Sequence, residues 1–121
     1  MDVLEFREYC LSLPLAEECT PFDETTLVYK IGGKMFAFAD MVEFRGINVK
    51  CDPDRAEQLR EQYPETVLPG FHSNKRHWNT LRPDLDLPDH LIREWIRDSY
   101  RLVIRGLPRN KREEILPLLG E

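Results

Sequence analysis

The residues in this chain best equipped for chemistry lie between Leu68 and Leu81, in LPGFHSNKRHWNTL. His72, Asn74, Lys75, Arg76, His77, Trp78 and Asn79 fall within eight positions there. Lysine and arginine neutralise phosphates, indole and imidazole faces stack on bases, and asparagine amides reach base edges or backbone. The same residues can also build an inert loop: tryptophan packs into a core, and asparagine bonds its own backbone. Pro69-Gly70 opens the stretch as a turn, since proline presets φ and glycine accepts unusual backbone angles. The run His77 to Leu81 then reads as a short strand.

Other cations join this stretch from elsewhere in the chain. Lys30 and Lys34 flank Gly32-Gly33, and Arg105, Arg109, Lys111 and Arg112 follow one another with no acid before Glu113. Arg93, Arg97, Arg101 and Arg105 repeat every four residues, but Asp89, Glu94 and Asp98 stand close enough for local ion pairs. Net charge is -5, so the chain as a whole does not attract polyanions. The distribution is uneven, with -7 over residues 1–70, +5 over 71–112 and -3 over the last nine. An anionic partner therefore has to meet a local patch.

Several classes of chemistry lack their residues. No Ser-His-Asp order, phosphate-cradling glycine loop or zinc spacing occurs, so the reading is non-catalytic, with no cofactor and no metal. His72 and His77 give H-x4-H without the further ligands of a structural zinc site. Asp2, Glu5 and Glu8 on the first helix suit weak iron binding only by analogy of shape. Cys51 stands beside Asp52, which disfavours a thiolate nucleophile. The three cysteines have no C-x-x-C spacing and fit free thiols in a cytoplasmic setting. The first ten residues carry three acids and do not read as a signal peptide, and no apolar run approaches the roughly 20 residues of a membrane span.

The elements that must position these groups follow from periodicity. Val3, Phe6, Cys10 and Leu13 predict a helix from Asp2, with Asp2 and Glu5 at capping-box spacing. A polar connection leads to strands 26–31 and 34–40 around Gly32-Gly33, a hairpin signal. A third strand is expected over Glu43–Cys51, then a helix from Pro53 capped by Asp52, with a stripe of Ala56, Leu59, Arg60 and Tyr63. The longest helix runs from about Pro88 to Arg105. Its expected face is Leu91, Ile92, Trp95, Ile96, Ser99, Leu102 and Val103, with Gly106 as the C′ residue. A short helix packed by Ile115, Leu116, Leu118 and Leu119 closes the chain. The order predicts a single domain over 1–121, an α+β two-layer sandwich whose antiparallel sheet is covered on one face by helices.

Six segments carry a family resemblance: YCLSLPLAEE, LVYKIGGKMFAFAD, INVKCDPDRAEQLREQYP, PGFHSNKRHWNTL, LPDHLIREWIRDSYRLV and GLPRNKR. Together they resemble the MmcQ/YjbR family over the whole length. The resemblance implies a CyaY-like fold, related in shape to frataxin, and a DNA-binding role through a proposed double wing of paired β elements. Leu15, Ser73 and Phe71 depart from residues common in the family, and Phe71 removes a phenolic hydroxyl from the loop. Two functions are carried forward. One is a DNA-binding module using the 70–80 loop, Lys30, Lys34 and the 105–112 cluster. The other is a module that binds a small anion or a protein partner through the Leu68–Leu81 loop.

Overall fold

The computed structural model describes residues 1–70 and 74–120. Phe71, His72 and Ser73, singled out above, and Glu121 lie outside the described residues. Helix α1 spans Val3–Ser12 and is capped as its sequence predicts: Asp2 Oδ1 accepts from the Glu5 amide while Glu5 Oε1 accepts from the Asp2 amide. Strands follow as β1 (Glu17–Cys19), β2 (Thr26–Ile31), β3 (Lys34–Asp40) and β4 (Ile47–Lys50). Helix α2 (Pro53–Gln62) leads to β5 (Val67–Pro69) and β6 (Trp78–Leu81), then α3 (Asp89–Arg105) and α4 (Arg109–Ile115). One 3-10 turn, Leu116–Leu119, follows.

The six strands form one sheet in the order β1-β2-β3-β4-β6-β5, every neighbouring pair antiparallel. Alternation sorts its side chains. Tyr29, Ala37, Val49 and Asn79 lie in one row across the strands and face the helices. Val28, Phe38, Asn48, Thr80 and Leu68 lie in the adjacent row and face away. The two-layer α+β arrangement is the one predicted. Helices cover a single face, and Phe6, Ile92, Ile96, Tyr100 and Ile104 fill the interface with it.

Gly32 and Gly33 both adopt positive φ, 59° and 83°, the pair of left-handed residues that a tight two-residue hairpin requires. One bulge then shapes β3. Tyr29 faces Ala37 while Lys30 faces Met35, so Phe36 is the extra residue and turns into the core beside Ala37.

Several local expectations are corrected. The polar connection after α1 contains β1, a three-residue edge strand whose Glu17-Glu18 sequence lacks β-propensity. Glu18 holds it, accepting from Tyr29 Oη at 2.8 Å and from Arg7 Nε at 2.8 Å. The third strand begins at Ile47 rather than Glu43, because the chain first turns through Phe44, whose φ is 48°. Asp52 makes no side-chain cap, and Gly106 keeps a right-handed φ of -87°. The buried face of α3 is rotated, with Tyr100 and Ile104 inside while Leu91 and Leu102 are half-buried. Leu116 and Leu118 are exposed, and Ile115 alone of that closing group is fully packed.

Candidate nucleic-acid interface

Strand β6 splits the chemistry of the Leu68–Leu81 stretch between two surfaces. Its alternation sends Trp78 and Thr80 to the open face and Asn79 and Leu81 toward the helices. Asn79 is therefore a correction. It is fully buried, its Nδ2 donates to Ala56 O at 3.4 Å, and a base on the open face cannot reach it. Asn74 is also occupied with structure. Its Oδ1 accepts from the Arg76 amide at 3.0 Å, and its carbonyl accepts from the His77 and Trp78 amides. That is an Asx turn feeding a strand. Arg60 braces the same turn by donating from Nη1 to Lys75 O at 2.8 Å. Lys75 and Arg76 side chains remain exposed, and His77 is half-buried.

Trp78 is 9% exposed and tilts against Phe38, ring centroids 5.5 Å apart. Its neighbours across the sheet make a groove. Lys50 stands opposite Trp78 in the register, and Lys30 stands opposite Met35. Lys30, Lys34, Met35, Lys50 and Trp78 line one open depression with Phe22, which is 63% exposed on the loop before β2. Three lysines thus line it together with two aromatic side chains. Glu17, opposite Lys30 on β1, is the acid nearest to them in the register.

The topology gathers the predicted cation regions at one end of the sheet without merging them. Leu107 packs against Gly32 and Lys111 Nζ donates to Gly32 O at 3.1 Å, so α4 sits by the hairpin tip. The β4 end and the β6 start join there too, with the Cys51 amide donating to His77 O at 2.7 Å. The 105–112 cluster itself divides. Arg109 pairs with Glu113 at 2.9 Å, Lys111 secures the hairpin, Arg112 is half-buried, and Arg105 lines a cleft between α2 and α3. The Arg109–Glu113 pair is exposed on both sides, so it is weak and breakable.

Electrostatics on the helix side differ from those in the groove. Burial pushes the Cys51 thiol above its ordinary range, and Asp52 adds to that against the pull of Arg55. The thiol stays protonated, so Cys51 is a poor nucleophile. Burial also raises Asp98, with Glu94 adding to it and Arg101, Arg55 and Arg105 opposing. Lys50, Met35 and Phe22 are the groove residues that sequence reading misses. The inward-outward alternation from Ile47 to Lys50 signals which side of β4 Lys50 occupies, but only strand order puts it beside Trp78.

Residues 11–102 match the YjbR family model. The chain belongs to the YjbR family. It is 37% identical over 114 residues to the uncharacterised protein YbdF of Escherichia coli O157:H7, covering 92% of this chain and 91% of that one. It is 34% identical over 119 residues to the uncharacterised protein YjbR of Escherichia coli K12, covering 98% and 100%. The fold is also that of a Deinococcus radiodurans protein, DR2400, assigned to domain DUF419. The two superpose with a TM-score of 0.87 at 38% identity, over 94% of this chain and 87% of that one. A Pseudomonas syringae protein shares the fold with a TM-score of 0.68 at 21% identity, over 84% and 98%. Among the described residues of this YjbR-family chain, no helix is long and apolar enough to cross a membrane.

Proposed function

We propose that this YjbR-family chain is a non-catalytic DNA-binding module whose contact surface is the open-face groove. The observation that carries this reading is the placing of Lys30, Lys34 and Lys50 around Trp78 and Phe22. Ammonium groups bordering an aromatic floor are what a single strand requires: cations follow its backbone while a base lies on the rings. Trp78 contributes an edge of the floor, and Phe22 offers the larger exposed face. Lys75 and Arg76 extend the cationic path past the start of β6. Among the described residues the groove is lined from strands and loops, with no helix residue to enter a major groove, and its aromatic side chains suit the unpaired bases of a single strand.

Affinity must come from few contacts, because the net charge of -5 opposes long-range attraction. The test is a titration of the whole chain with single-stranded and duplex oligonucleotides at two salt concentrations. Micromolar single-strand binding that weakens with salt and exceeds duplex binding supports the reading. Absence of binding to both forms at about 50 mM salt, where phosphate contacts are strong, overturns it.

A further inference from the structure

Beneath the sheet, on the side away from the groove, α2 and α3 part to leave a cleft of about 220 Å³. Its apolar walls come from Val49, Leu59, Leu81, Trp95 and Leu102. Asn79 also lines it and is fully buried. Its Nδ2 has the Ala56 carbonyl, but among the described residues its Oδ1 accepts from nothing. A buried amide oxygen with no donor is uncommon, because its lost hydration goes uncompensated. Its more exposed lining is charged: Arg55, Arg101 and Arg105, together with Asp52 and Asp98.

We propose that this cleft binds a small heteroaromatic acid. The parts are complementary in order of depth. A ring N–H or an exocyclic amino group on the ring supplies the donor that Asn79 Oδ1 lacks, the flat faces of the ring lie against Trp95 and the aliphatic walls, and a carboxylate or phosphate ends among the arginines. Arginine suits that last position because its fixed fork matches either anion. Asp52 and Asp98 temper this charged lining, so a bare polyanion gains less there than a ring carrying one acidic group. Size narrows the class: a cavity of about 150 Å³ accepts benzene, so one of about 220 Å³ admits a fused bicycle of purine or indole type. This site is separate from the DNA groove, and the two stand or fall independently.

The experiment is isothermal titration of the whole chain with adenosine monophosphate, guanosine monophosphate and indole-3-acetate, each alone. Inorganic phosphate and adenosine serve as controls. Saturable binding by at least one of the three ring acids, tighter than either control, is expected; their ranking separates a nucleotide from an indole-type acid. Arg105→Gln, a change at an exposed residue, should weaken binding by at least about tenfold, the effect of one lost charge-assisted hydrogen bond. Asn79→Leu should abolish binding while leaving thermal stability equal or higher, since it removes the unsatisfied acceptor and Ala56 O retains its helical bond. No heat with any ring acid at millimolar concentration overturns the proposal. Phosphate or adenosine binding as tightly as the nucleotides also overturns it, as does unchanged affinity in folded Asn79→Leu.

Discussion

The hydroxyl of Ser99 on α3 donates to the carbonyl of Phe36, 63 positions earlier, across 2.6 Å. The same oxygen accepts from the Lys50 amide at 2.8 Å. The β3–β4 ladder runs only from Ala39–Ile47 to Ala37–Val49, and the bulge at Phe36 then separates the strands. Ser99 spans the gap that results. Without it, a buried carbonyl and an amide would lose their partner together. Ser99→Ala should therefore lower stability by about 1–3 kcal/mol, the usual cost of orphaned buried groups, measured by urea unfolding. A loss under about 0.5 kcal/mol, within the range of neutral surface changes, would show that the strands close on each other instead.

The two hairpin glycines should respond unequally. Both have positive φ, so an alanine at either is strained by about 1–2 kcal/mol. A Cβ at Gly33 meets nothing within 4 Å, whereas one at Gly32 comes within 2.6 Å of Leu107 Cδ1. Leu107 is buried and cannot swing into solvent. Gly32→Ala should thus cost at least about 1 kcal/mol more than Gly33→Ala, an overpacking cost, in parallel denaturation curves. Equal losses would mean that Leu107 repacks freely.

How far the sequence reveals this molecule depends on which interactions are local. Capping at Asp2, the Gly32-Gly33 turn and the 3.6-residue rhythm of α3 are each set within a few residues, and all three are legible. β1 is not, because Glu17-Glu18-Cys19 becomes a strand only through pairing with β2 and the Glu18–Tyr29 bond. The exact face of α3 also escapes, since Tyr100 is drawn inward by Phe36, itself displaced by a bulge that no motif announces. Within the candidate site, Trp78 and the hairpin lysines stand out as residue types. Their union with Lys50 and Phe22 depends on a strand order in which β4 lies between β3 and β6. Asn79 shows the converse: one residue from Trp78 in sequence, it belongs to the opposite face.

Glu18 and Asp98 should give opposite pH signatures. Hydrogen bonds from Arg7 and then Tyr29 hold the Glu18 carboxyl below its ordinary range. Its stabilising contribution is therefore complete above the unfolded value of about 4.3 and is lost as pH falls through the lower folded value. Glu18→Gln should be less stable than wild type at pH 7, with the difference shrinking in acid. Asp98 is raised, chiefly by burial, so ionising it opposes folding. That cost grows as pH rises from the unfolded value of about 3.9 through the higher folded one. Asp98→Asn should melt higher than wild type at pH 7, and the gain should disappear at low pH. Melting curves between pH 3 and 7 check both, and a parallel response of the two variants would contradict the raised carboxyl of Asp98.

The salt dependence of DNA binding can separate the groove from the other cations. Each phosphate neutralised on a single strand contributes about -0.7 to the log-log slope of affinity against salt. Contacts from Lys30, Lys34 and Lys50 alone would then give a slope of about -2. Replacing Lys30 and Lys50 together with alanine should bring it about 1.4 units closer to zero. Both are strand residues with half-buried stems, so circular dichroism must first show that the double variant folds. Arg109→Ala should leave the slope unchanged, because that guanidinium pairs with Glu113 on α4 outside the groove. Lys75 and Arg76 supply the contrast: both are exposed on the turn entering β6 rather than inside the groove. A slope that falls when Lys75 and Arg76 are replaced, and holds when Lys30 and Lys50 are replaced, would move the contact from the sheet face to that turn.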